Sequence, residues 1–275
     1  MLVIKFSFLV LISATLYSKP SYPKGEVSLV TGEWCPYLSS EFDFQGVFAR
    51  IVTKAFELEG YRAQISFKPW ARAYNDVKRG IHDGSIGWAR TDKRKKLFYF
   101  SDDVLEQEQM IFHHKATLFD WSEMNDLKPY VLGLTRSFAY TKALQEMIDK
   151  GLIKAEISSS DEQNMKRLVL KRIDLFPVAK EVGICLIREK LSKEQRKKIV
   201  FHNKPLKVDG LGVIFPKNRS KSENFKEALN RGLKKLKEKG LFPKYIEESE
   251  INLYEKWTCE WMKDHWSLDF KNFDN

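Results

Sequence analysis

Apolar and polar positions along the chain follow two periods. "EVSLVTGEW" alternates as a strand does, and "PYLSS" breaks it. In "QGVFARIVTKAFELEG", Val47, Ile51, Ala55 and Leu58 recur at helical spacing, and Gly60 closes the turn. "YRAQISFK" predicts a strand with outward charges. Pro69 opens a second helix, "PWARAYNDVKRG", which Gly80 ends, and "IHDGSIGW" predicts the next strand. "MIFHHK" and "YVLGLT" read as further strands, followed by helices over 140–150, 162–171 and 180–190. "LGVIFPK" is a late strand. "SENFKEALNRGLKKLKEKG" is an amphipathic helix with Ser222 as its expected N-cap and Gly240 as its stop. Strands alternating with helices imply an α/β protein with a parallel sheet and crossover helices. No internal repeat or low-complexity segment interrupts the pattern.

Both ends depart from it. The apolar run over 6–16 is too short to span a bilayer comfortably as a helix. After a single lysine and before the small residues near Ser18, it has the form of a secretory leader. Residues 1–18 are therefore expected to be removed, leaving an exported, soluble protein. No cysteine follows the run, so no lipid anchor is expected. Residues 249–275 form a tryptophan-rich extension. Leu253, Trp257 and Trp261 stand four apart and would share one helical face, with Trp266 beyond them. That face either packs on the protein's own surface or docks on a partner or membrane.

Composition narrows the function classes. The 275 residues, 43% hydrophobic and 13% aromatic, suffice for one large domain or two lobes. The net charge of +10 is spread over short clusters at 93–96, 196–198 and 234–239, which read as solvated faces. No zinc-finger spacing, arginine-rich tail or RNA-binding signature points to nucleic acid. Cys35, Cys185 and Cys259 allow at most one bridge, and their spacing is too wide for a metal motif. His113 and His114, adjacent on a strand, point to opposite faces. No metal and no cofactor are expected.

Six phrases in order carry a resemblance: "GEWCPY", "VKRGIHDGSIGW", "TDKRKKLFYFSDD", "VLGLTRSFAY", "LVLKRIDLFP" and "LGVIFPKN…FKEALNRGLKKLKEKGLFPKY". Together they resemble the extracytoplasmic solute-binding proteins of family 3, the polar amino-acid class of ABC-transporter receptors. The resemblance implies a periplasmic-binding-protein fold of type II, with two α/β lobes joined by two hinge strands and the ligand in the cleft between them. Carried over, lobe one is 26–105 plus 209–248, and lobe two is 106–208.

The family's site implies roles for single residues. The arginine of the "T-x-x-R" phrase, here Thr91 to Arg94, would clamp a ligand carboxylate with its planar, permanently charged fork. The competing reading is a surface salt bridge from Arg94 to Asp102 or Asp103. Arg90 either faces the cleft or does not. Trp34, Trp70 and Trp88 fall on positions that would wall the cleft, where aromatic rings stack on a cation or planar group; for each the alternative is core packing. In "TRSFAY", the backbone N–H groups of Ser137 and Phe138 would hold the carboxylate at a helix start.

Two departures bear on the ligand. Ala179 stands where amino-acid-binding members usually place the acid that holds the ligand's ammonium, and Thr31 replaces another acid. Glu33 and Glu181 are the nearby candidates to substitute. Either the amine is held elsewhere, or the ligand is a carboxylate without it. The expected function is a periplasmic, monomeric receptor for a small carboxylate-bearing, amino-acid-like solute, handing it to an inner-membrane ABC permease and carrying no catalytic residue. The alternatives are a sensory receptor docking on a membrane signalling protein, or a dehydratase-like enzyme on the same fold.

Overall fold

The computed structural model describes Tyr22 and residues 24–249, except Ser137. The expected leader, Ser137, the Trp257 face of the extension and Cys259 lie outside the described residues.

In chain order the elements are β1 (Gly25–Thr31), α1 (Val47–Leu58), β2 (Tyr61–Phe67), α2 (Trp70–Lys78), β3 (Gly84–Ala89), α3 (Asp92–Leu97), β4 (Phe98–Phe100) and β5 (Leu105–His114). There follow β6 (Val131–Thr135), α4 (Lys142–Asp149), β7 (Lys154–Ser158), α5 (Asp161–Val169), β8 (Leu175–Ala179), α6 (Lys180–Lys190), α7 (Lys193–Arg196) and β9 (Ile199–Phe201). β10 (Lys207–Pro216), α8 (Ser222–Glu238) and α9 (Leu241–Glu247) complete the described chain.

The strands run β2-β1-β3-β10-β5-β8-β6-β7, with β4 on β10 and β9 on β5. The sheet is mixed, which corrects the expectation of a parallel one. Pairing is parallel where a helix crosses over, as in β1 with β2 and β3, and β6 with β7 and β8. β5 and β10 enter without such a crossover and run antiparallel to each other and to β8 and β3.

These two strands make the architecture. β10 pairs with β5 through Lys207↔Gln109 to Leu211↔Leu105, and further along with β3 through Leu211↔Ala89 to Ile214↔Ser85. β5 continues the other way, onto β8 through Gln109↔Ala179 to His113↔Leu175. Each strand thus has one end in each half of the sheet. This is the two-lobed, two-hinge arrangement of the type II periplasmic-binding fold, with a cleft between the lobes.

Helical stripes cover each half. α1 buries Val47, Phe48, Ile51, Val52, Ala55 and Phe56 on one side. α8 lies close against it: a Cβ on Gly232 would come within 2.1 Å of the Ala55 carbonyl oxygen. α8 also corrects its expected cap. Lys221 occupies the N-cap position with helical dihedrals, and Ser222 is already inside the helix with its hydroxyl buried. The turn before it, closed by the Ser222 N–H on the Arg219 carbonyl, sets the chain helical one residue early.

Candidate functional site

The basic run "TDKRKK" folds as the short helix α3. Thr91 caps it, its hydroxyl accepting from the Arg94 N–H at 3.2 Å. The T-x-x-R spacing therefore puts Arg94 in the first turn, where the Cα–Cβ bond tilts back toward the helix start and the end of β3. The Arg94 guanidinium donates to the Ala89 carbonyl at 2.8 Å and lies 4.7 Å from the Trp88 ring centre. Burial pulls its pKa down from the ordinary arginine value, and Tyr74 and Asp209 act in the opposite direction. An arginine so placed keeps its charge.

Three tryptophans converge beside it. Trp88 comes from β3 and donates from Nε1 to the Ser85 hydroxyl at 2.7 Å. Trp70 opens α2 after Pro69 and donates to the Glu33 carbonyl at 3.1 Å. Trp34 comes from the loop after β1; its ring is buried, and its Nε1 meets no acceptor among the described residues.

Opposite them, the second lobe brings Arg136, Phe138 and Ala139 from the loop after β6, and Ala179 from the end of β8. The floor is the hinge pair, with Gln107 and Gln109 from β5 and Leu211 from β10. The cleft has a volume of about 550 Å³, counted to include the space open to solvent at its mouth. Among the described residues, the charged lining groups are Arg94 and Arg136.

Of the expected site residues, Arg94, Trp34, Trp70, Trp88 and Phe138 meet in this cleft. The tryptophans are both wall and core, since Trp34 and Trp88 are almost fully buried. The Phe138 N–H donates to the Thr135 carbonyl at 3.2 Å, and the next helix starts only at Lys142, so Phe138 contributes lining there and not a helix-start N–H. Arg90 is absent from the lining. Its guanidinium bonds to Asp103 and to the Ser101 carbonyl. The salt bridge to Asp103 weighed for Arg94 is thus made by Arg90. Glu33 is likewise outside the lining, with its carboxylate accepting from the Ser40 N–H and hydroxyl. Thr31 is buried and donates to the Ile86 carbonyl at 3.1 Å. Glu181 accepts from the Tyr37 hydroxyl at 2.6 Å.

Sequence reasoning missed Arg136, Gln107 and Gln109. For the glutamines a signal existed. In "LEQEQ" they alternate with exposed Glu106 and Glu108, on the inward face that Leu105 marks.

The sequence profile of the bacterial extracellular solute-binding proteins, family 3, matches residues 30–258. The chain belongs to that family. Solved structures agree at the level of the fold. One is a histidine kinase sensor domain with similarity to periplasmic binding proteins (TM-score 0.69, 16% identity, covering 81% of this chain and 95% of that one). Another is an amino acid ABC transporter substrate-binding protein from Streptococcus pneumoniae bound to L-arginine (TM-score 0.62, 20% identity, 82% and 94%). A third is an ancestral amino-acid-binding protein, a precursor of cyclohexadienyl dehydratase (TM-score 0.65, 18% identity, 82% and 95%). No curated protein matches the chain. The family is one of binding proteins, and among the described residues no helix is long and apolar enough to cross a membrane.

Proposed function

We propose that the protein is a periplasmic, monomeric receptor that binds a small carboxylate-bearing, amino-acid-like solute between its lobes and delivers it to an inner-membrane ABC permease. The observation that carries this reading is Arg94, held against Trp88 and the Ala89 carbonyl inside an aromatic interlobe cleft. A guanidinium fork there pairs both oxygens of a carboxylate in a site from which closure excludes water. Arg136 adds a second positive charge, and no carboxylate among the described lining residues offsets it, so the cleft favours anionic groups. Lobe one is 26–105 with 209–248, lobe two is 106–208, and residues 1–18 serve as the export leader.

Likeness to a histidine kinase sensor domain supports a second reading, in which the same receptor docks on a membrane signalling protein. Both readings need the same solute site.

The test is a thermal-shift panel on the mature protein, oxidised and reduced, with amino acids, their deaminated analogues, dicarboxylates and small peptides. A solute that binds only the folded state adds about 2.7 kcal/mol at a hundredfold excess over its Kd. The expected result is a rise in Tm with at least one carboxylate. No rise with any member in either redox state would overturn the reading.

A further inference from the structure

Gln107 and Gln109 are two residues apart on β5 and therefore share its inward face. Both line the cleft, Gln109 is only 2% exposed, and the carboxamide oxygens of both are buried with no donor among the described residues. A buried acceptor left without a partner is destabilising, so two on one face mark a place where donors arrive with the solute. Ala179, which pairs with Gln109 across the strands, offers no carboxylate for that purpose. We infer that Gln107 and Gln109 are specificity-determining residues that receive the solute's amine through neutral carbonyl oxygens. This rests on the proposed solute site and names its ligand class: a carboxylate that also carries an ammonium or amide donor. Such a site rejects the analogue lacking the donor, because the two oxygens then stay orphaned.

The test uses matched pairs, glutamate against glutarate and phenylalanine against 3-phenylpropanoate, and continues with the other amino acids and their deaminated partners. In wild type the amine-bearing member of the bound pair should bind at least about tenfold more tightly, or 1.4 kcal/mol. Replacing both glutamines with the similarly sized methionine should erase that preference while binding still depends on Arg94. Equal binding of deaminated members to wild type, or a preference that survives Gln107→Met with Gln109→Met, would overturn the inference and leave the receptor reading standing. If no member of any pair binds, both fall.

A different observation carries a second inference. Cys35, in the loop after β1, is disulfide-bonded to Cys185 on α6, 150 residues away, with a Cα–Cα distance of 6.1 Å. The bridge joins the lobe built on β1 to the lobe built on β8. It stands off the hinge. Gly183 faces the second-lobe end of β5, beyond its pairing with β10, where a Cβ would come within 2.2 Å of the Phe112 ring. Cys185, two residues on, points about 200° around the helix from it, at the far side of a cylinder about 10 Å across. Glu181 and Cys185 are four apart on one face of α6 and meet Tyr37 and Cys35 of the same loop.

β5 and β10 form one hydrogen-bonded ribbon and hence one bending axis, whereas a tether off that axis fixes the rotation. A disulfide tolerates Cα–Cα distances up to about 6.8 Å. The bridge, at 6.1 Å, therefore leaves about 0.7 Å of slack. The geometry points to a redox latch: the Cys35–Cys185 disulfide holds the cleft closed, and a dithiol reductant frees it. In that step the dithiol gives two electrons and two protons to the protein disulfide, leaving two thiols, and is itself oxidised to a disulfide.

The experiment needs no solute. The exported chain carrying Cys259→Ser is measured oxidised and after dithiothreitol, by small-angle scattering and by acrylamide quenching of tryptophan. Cys35→Ser with Cys185→Ser is measured alongside, and circular dichroism checks that each sample is folded. Reduction should raise both the radius of gyration and the quenching constant, and the double variant should match the reduced protein without reductant. Folded samples that show the same radius and quenching in all states would overturn the latch.

Discussion

Trp70 stands at 83° to Trp88, with ring centroids 5.3 Å apart, and at 84° to Trp34 at 6.1 Å. Such edge-to-face contacts add about 0.5–1.5 kcal/mol beyond area burial and hold the rings at fixed angles. The wall of the cleft is rigid before any solute arrives. Its members differ in burial, which separates their expected effects. Trp70 is half-buried, so Trp70→Ala should weaken solute binding about tenfold with a modest loss of Tm. Trp34 is 6% exposed, so Trp34→Ala should also cost about 3–5 kcal/mol of stability. Paired Kd and urea-unfolding measurements distinguish the two.

Arg90 and Arg94 are four residues apart and should behave differently. Arg90 is committed to Asp103 and the Ser101 carbonyl, outside the cleft lining. Arg90→Ala should leave solute Kd within about twofold and cost at most about 1 kcal/mol of stability. A large loss of affinity would put Arg90 in the site.

Asp161 sets a pH dependence. Its buried carboxyl accepts from the Thr135 hydroxyl at 2.5 Å, and burial pushes its pKa up from 3.8 to about 6. The folded protein keeps this proton at pH values where the unfolded chain has released it. The contribution of Asp161 to stability therefore falls as pH rises from about 4 to about 6, by about 3 kcal/mol in all. Asp161→Asn imitates the protonated form. It should raise Tm at pH 7.5, match wild type near pH 4 and flatten the profile between; melting curves across this range check it.

Gly183 lets α6 lie on β5. Gly183→Ala should destabilise the protein by about 1–3 kcal/mol, since the added Cβ overlaps the Phe112 ring. A chemical denaturation midpoint equal to that of wild type would show that the two elements can part without cost.

Much of the fold was legible because its elements obey their periods. α6 lies over 180–190 as expected, and β2, α2 and β6 lie within a residue or two of theirs. The antiparallel hinge was not readable from alternation alone, since strand period says nothing about direction. The first-lobe wall was legible through local phrases. Arg94 follows from T-x-x-R because the cap fixes its place in the turn, and Trp70 follows from Pro69. The second lobe was harder. What Arg136 and Ala139 line depends on a loop whose path no local pattern sets. The Cys35–Cys185 pairing depends on how two halves meet 150 residues apart.

The central claim is that Arg94 clamps the solute carboxylate. The most direct measurement is the Kd of wild type and Arg94→Ala for whichever carboxylate gives the largest thermal shift. The account predicts a loss of about 2–5 kcal/mol, or thirtyfold and more, with the protein still folded though less stable for the lost Ala89 and Trp88 contacts. An unchanged Kd would contradict it.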